Sequence, residues 1–291
     1  MKSFKTPSRA RRGFLPLIFM LALSPLSFTV TAGNSAPAGK NAVAGDAPPV
    51  APGKFIDAIY DDEGDGSPAY AVANGAWAHY WYGHAFQLNG KQYFTGFVYK
   101  TANHYGKDAA SQLPNPDTKA TIAQATFEKS SSGWTMVTAD PYIGEFGSSE
   151  KGDPISKTGS AQTFPLAGGN ALLAVPTNAS VGEGQYQQAA ELFVLDATKH
   201  SWNYVGRVAT GANNADNCAD SAKNGDLPPC WTYTGKLEFV AQAGSPMPSI
   251  HVAVQGTTYG ATGGRVRKVT DADNADYRFD AKTQTYQPVK R

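Results

Sequence analysis

Apolar and polar residues alternate in the same way at several points along the chain. Leu195-Asp-Ala-Thr-Lys-His-Ser-Trp202-Asn-Tyr-Val205 sets an apolar strand end, a polar turn and an aromatic that opens a returning strand. That is the pattern of a β-hairpin. Phe127 to Val137, around Trp134, repeats it, as does Phe279 to Val289, around Tyr286. Phe86 and Tyr93, flanking Asn89-Gly90, make a looser copy. Each copy has a large apolar residue followed seven positions later by an aromatic, and three of them add a Val three further on. The leading residues Phe86, Phe127, Leu195, Phe239 and Phe279 are spaced by 41, 68, 44 and 40 residues. A period near 40 with several strands per unit predicts an all-β fold of antiparallel sheets built from repeated hairpins. It favours a β-propeller-like stack, with a β-sandwich as the alternative.

Between the hairpins the pattern predicts strands at Phe55 to Tyr60, Ala69 to Ala73, Thr121 to Phe127, Lys236 to Ala241 and Ile250 to Val254. A further hairpin turns at Gly168-Gly169. Val181 to Gln188 fits either a strand or a short helix. Asp140-Pro141 reads as the end of the strand returning from Trp134. Residues 106 to 118, 144 to 162 and 210 to 230 read as long loops, where recognition or mobility is usual.

One stretch departs from simple alternation. Trp77-Ala-His79-Tyr80-Trp81-Tyr82-Gly83-His84 has large rings at nearly every position. On a regular strand Trp77, His79 and Trp81 face one way and Tyr80, Tyr82 and His84 the other. His79 and His84 then cannot share one ion. Two readings stand: core packing, or a ligand platform of Trp77, Tyr80, Trp81, Tyr82 and His84. The platform reading rests on large rigid rings with hydrogen-bonding tips, which suit a sugar. His104, His200 and His251 are scattered, without metal spacing.

The N-terminus changes the reading of charge. Lys2, Lys5, Arg9, Arg11 and Arg12 precede the apolar run Phe14 to Leu23, and Val30-Thr31-Ala32 offers small residues for cleavage. This predicts a secretory signal peptide over 1–32, with an uncleaved anchor as the alternative. Arg11-Arg12-Gly13-Phe14-Leu15 resembles a twin-arginine export signal. Removing those five cations takes the formal charge from +1 to −4. A mildly acidic chain without a Lys/Arg cluster excludes nucleic acid and anionic membrane surfaces as expected partners. Residues 33–53, rich in small and polar side chains, predict a disordered leader. Residues 54–291 then form a single repeat-built domain, periplasmic or secreted and not integral to the membrane. Cys218 and Cys230, the sole cysteines, predict a disulfide in that compartment.

Asp61-Asp-Glu63-Gly-Asp65-Gly66 resembles the calcium loops of FG-GAP or VCBS-type β-repeat proteins. The resemblance implies calcium held by Asp61, Glu63 and Asp65; a solvated acidic turn is the other reading. Asp271 to Asp276 lacks the central glycine and reads as a turn. No G-x-S-x-G, H-E-x-x-H, P-loop or dinucleotide fingerprint occurs, and no catalytic residue is assigned. Three functional classes remain. The first is a non-enzymatic binding module for a glycan or a protein surface. The second is a glycan hydrolase drawing on Asp61, Asp65, Glu145, Asp196 or Asp216. The third is a structural or assembly component.

Overall fold

The computed structural model describes residues 45–101, 117–182, 184–221, 229–260 and 265–290. The predicted signal segment, most of the leader, His104 and nearly all of the 106–118 loop lie outside the described residues.

The first element corrects the sequence reading. Pro52–Tyr60 is a helix, α1, not a strand. Phe55, Ile56 and Ile59 are buried on one of its faces, a helical spacing hidden in a run too short to show its period. Pro lies in its first turn, where the missing N–H costs nothing, and Asp61 ends it in the left-handed conformation.

The remainder is antiparallel sheet. Ala69–Ala71 (β1), Trp77–Leu88 (β2), Lys91–Thr101 (β3), Ala120–Ser130 (β4) and Gly133–Phe146 (β5) form a five-stranded half-barrel in chain order. The second sheet comprises Gln162–Pro165 (β6), Ala171–Gly182 (β7), Gln185–Asp196 (β8), Ser201–Asn213 (β9), Thr232–Val240 (β10), Ser249–Tyr259 (β11), Ala275–Asp280 (β13) and Thr285–Pro288 (β14), with Val266–Lys268 (β12) beside β11. A short helix, Ala215–Ser221 (α2), follows β9. Among the described residues no helix is long and apolar enough to cross a membrane.

The hairpins are where the repeat placed them. Leu195 pairs with Trp202, Phe279 with Tyr286 and Phe86 with Tyr93 directly across their turns. Trp134 departs: its turn, Ser131-Ser132, falls one residue past the midpoint of Phe127 and Trp134, so Trp134 lies opposite Lys129 and Phe127 opposite Met136. The expected propeller does not form. The hairpins zip side by side into two continuous sheets instead of closing into separate small blades. Asp140-Pro141 does not end a strand either. β5 runs through it, and Pro141 is tolerated because β5 is the edge of its sheet.

Three cores follow from the faces. α1 covers one face of the half-barrel through Phe55, Ile56 and Ile59 against Tyr80, Phe94 and Phe127. Gly96 makes this possible, since a Cβ there would sit 2.4 Å from the Phe55 ring. The other face packs on the second sheet through Trp81, Phe97 and Phe146 against Val175, Phe193 and Trp202. Polar bonds register this contact. Trp202 Nε1 donates to Thr95 Oγ1 (3.1 Å), and the Ser201 hydroxyl donates to Asp140 (2.5 Å), which also accepts from Gln124 (2.9 Å). The third core lies within the second sheet. β10 pairs with β9 only over Thr232–Thr234, so the following strands fold back. Leu237, Ile250 and Tyr286 then cover Leu172, Leu192 and Val208.

Candidate functional site

The aromatic block on β2 is placed differently from the alternation rule. The β2–β3 register shifts between Tyr80 and Tyr82, so Trp81 is a bulge residue. The bulge reverses the phase of the strand. Trp81 and Tyr82 enter the core between the sheets together, while Tyr80 packs under α1. Trp81 and Tyr82 are each 6% exposed and Tyr80 9%. Trp81 Nε1 donates to the Asp153 carbonyl (2.8 Å), and its ring meets Phe146 at 4.8 Å. His84 meets Trp202 edge-on at 5.6 Å, and burial pushes its pKa down to about 4 against the pull of Asp46. Trp77 is half-buried beside His79, whose ring stacks on Tyr99 at 4.7 Å. As an exposed platform the stretch is corrected, because most of its rings are the glue between layers.

The acidic loop is organised around Asp57, which the sequence did not single out. Asp57 Oδ1 accepts from the Gly64 N–H (3.0 Å) and from the Tyr70 hydroxyl. Asp61 caps α1, and Asp65 accepts from the Ser67 N–H (2.9 Å). Among the described residues no group of three His, Cys, Asp or Glu side chains gathers as a metal site, so Asp61, Glu63 and Asp65 do not converge. Other candidate acids are dispersed in turns and pairs. Asp196 accepts from Thr198 and Lys199 within its hairpin turn, and Asp216 accepts from the Tyr186 hydroxyl (2.8 Å). Cys218 and Cys230 form the predicted disulfide.

A cleft lies elsewhere, where β5, β9 and β14 meet. It encloses about 620 Å³ and is lined by Lys119, Tyr142, Glu145, Tyr204, Arg207 and Gln287 among others. Irregular backbone shapes two of its walls. On β5 the register jumps from Gln124/Asp140 to Ile122/Gly144, which throws out Pro141 and Tyr142. Tyr142 is 62% exposed. Gly144, at φ +150°, leaves room for the Tyr204 side chain, whose Cβ a Cβ at 144 would meet at 2.8 Å and whose ring at 2.9 Å. On β9 the register slips between Tyr204 and Gly206, the latter at φ +106°. Glycines inside strands were the available sequence signal.

Behind the cleft is a buried charge cluster. Glu191, fully buried, accepts from the Tyr204 hydroxyl (2.7 Å) and the Thr177 hydroxyl (3.4 Å). Arg207 reaches Asp153 through Nη1 (3.0 Å) and Glu191 through Nε (3.5 Å). Its buried Nη2 has no hydrogen-bond partner among the described residues. Burial pushes Glu191 up to about 7, although Tyr204 and Arg207 pull it down. Burial raises Asp153 as well, against Arg207. Asp153 belongs to the predicted 144–162 loop. That loop is pinned rather than loose: Ile155 bridges Thr177, and Asn178 N–H donates to the Pro154 carbonyl (2.9 Å).

Glu145 is the one carboxylate lining the cleft among the described residues, whereas paired-acid glycoside hydrolysis needs two across it. An exposed ring, a guanidinium and an ammonium suit a polar ligand with an apolar face. No family model matches the chain, and neither a curated protein nor a solved structure matches it.

Proposed function

We propose that the protein is an exported envelope component acting as a non-enzymatic binding module, with a glycan seated in the cleft between β5, β9 and β14. The observation that supports this reading most is Tyr142, a large ring thrown out by a bulge over a cleft whose floor is Tyr204 and Arg207. A ring held out at a bulge is a common way to aim a side chain at a partner. The basic-then-apolar N-terminus and the disulfide support export.

A glycan array probed with the wild-type chain and the Tyr142→Ala variant tests the reading. Tyr142→Ala weakens retention about tenfold, the cost of a central interface ring, while the melting temperature stays at the wild-type value. Reducing-sugar release from bound glycans stays at the protein-free level. Equal retention of both proteins on every positive spot defeats the cleft assignment, and steady sugar release defeats the non-enzymatic one.

A further inference from the structure

β10 starts immediately after Trp231, and the backbone there is held by an unusual number of restraints. Asn214 is 1% exposed. Its Oδ1 accepts from the Trp231 N–H (2.8 Å), its Nδ2 donates to the Pro229 carbonyl (3.1 Å), and its own N–H donates to the Trp231 carbonyl (3.3 Å). The disulfide ties the adjacent residue, Cys230, back to Cys218. A buried amide and a covalent link therefore fix a partly exposed tryptophan at the end of a sheet.

Trp231 and Tyr233, two apart on an extended backbone, present their rings to one face. The rings are stacked, with centroids 6.2 Å apart and planes 17° from parallel. The cross-strand neighbours of Tyr233 are Ala212 and Gly256, which raise no bulk beside it. Neither Trp231 Nε1 nor the Tyr233 hydroxyl has a hydrogen-bond partner among the described residues. On the β11 side, Arg267 is paired opposite Thr258 and clamps Asp273 through two bonds of 2.8 and 2.5 Å. Burial raises the pKa of the Tyr233 phenol, with smaller contributions in the same direction from Tyr277 and Asp273.

We propose that Trp231 and Tyr233, edged by Arg267 and Asp273, form a stacking site for the pyranose ring of a glycan. The C–H face of a sugar is apolar and packs on the exposed part of this ring pair, while its rim of hydroxyls meets the indole N–H, the phenol, the guanidinium and the carboxylate. A nucleic-acid base also stacks on rings, but it brings a phosphate backbone that needs a basic groove. Here the adjacent Arg267 is already neutralised by Asp273. The site goes beyond the cleft reading. It lies at the Ala212 end of β9, away from Tyr204 and Arg207, and it stands or falls separately.

The whole chain is run in native gels cast with soluble β-glucan, xylan, mannan or single-stranded DNA, and sedimented with chitin and with peptidoglycan sacculi. At least one glycan retains the wild type. Trp231→Ala and Tyr233→Ala each weaken that retention about tenfold, Trp231→Phe keeps most of it, and Arg267→Ala weakens it severalfold. Arg267 is exposed, and so its variant reports on binding even if Trp231→Ala fails to fold. The proposal is overturned if no glycan retains the wild type, if DNA alone does, or if Tyr233→Ala and Arg267→Ala bind as the wild type does. Loss of retention in Tyr142→Ala with none in Tyr233→Ala and Arg267→Ala would leave the cleft standing and remove this site.

Discussion

Replacing Glu191 by a glutamine should change how stability depends on pH, and the sign is fixed by the geometry. Glu191 is fully buried, and its carboxyl titrates at about 7 in the folded protein instead of an ordinary 4.5. Between those values the folded state binds a proton that the unfolded state has released. Stability therefore falls as pH rises across that window. The shift corresponds to about 3 kcal/mol, at 1.36 kcal/mol per pH unit. Asp153, raised by its own burial, adds to the same direction. His84 acts oppositely: its pKa is depressed to about 4, so its contribution is lost as pH falls through the range below 6.5. The substituted amide keeps an oxygen for Tyr204 and Thr177 but cannot ionise. Urea unfolding of both proteins from pH 4 to 8 separates the effects, because His84 is common to both. The wild type is expected to lose about 3 kcal/mol relative to Glu191→Gln between the two ends. Parallel pH profiles would show that Glu191 keeps the same proton affinity folded and unfolded, and the account of the cluster would fail.

The cores make two packing predictions. Trp202→Ala empties the space between the sheets and strips Thr95 of its indole partner. It should cost about 3–5 kcal/mol in chemical denaturation, and a loss under about 1 kcal/mol would mean the sheets do not pack as described. Gly96→Ala pushes a methyl group toward the Phe55 ring and should lift α1 from the half-barrel. It should cost about 1–3 kcal/mol and raise amide exchange in residues 52 to 60 selectively; unchanged exchange there would refute the fit of helix to glycine.

What the sequence made legible was local. The Leu195/Trp202, Phe279/Tyr286 and Phe86/Tyr93 pairs sit across their turns because a hairpin places residues by short-range spacing alone. The disulfide was legible for the same reason, from two cysteines close in sequence. Three features were hidden, each for a physical cause. A helix of nine residues shows too little of its period to be told from an apolar strand. A single bulge at Trp81 inverts every side-chain direction beyond it, and no propensity marks it. Asp153, Glu191 and Arg207 lie far apart along the chain and meet only after both sheets and the intervening loop have packed. Charge patterning along the sequence does not encode such a meeting.

The layering also explains why the rings most prominent in the sequence are the least available for binding. One face of the half-barrel lies under α1 and the other against the second sheet, whose outer half folds over its own inner half. A central strand such as β2 therefore has no broad face left for a ligand, and its aromatic density goes into dispersion contacts between layers. Surfaces suited to recognition must arise where a layer ends or a ladder breaks. Both sites described above meet that condition: Tyr142 sits at a bulge on the edge strand β5, and Trp231 sits where β10 begins, close to the point at which it leaves β9. Fold and function then make opposite demands on aromatic residues. Regular strands of the layered sheets draw most rings into the core, while the irregular backbone at Gly144 and Gly206 frames one site outside it and Asn214 with the disulfide anchors the other.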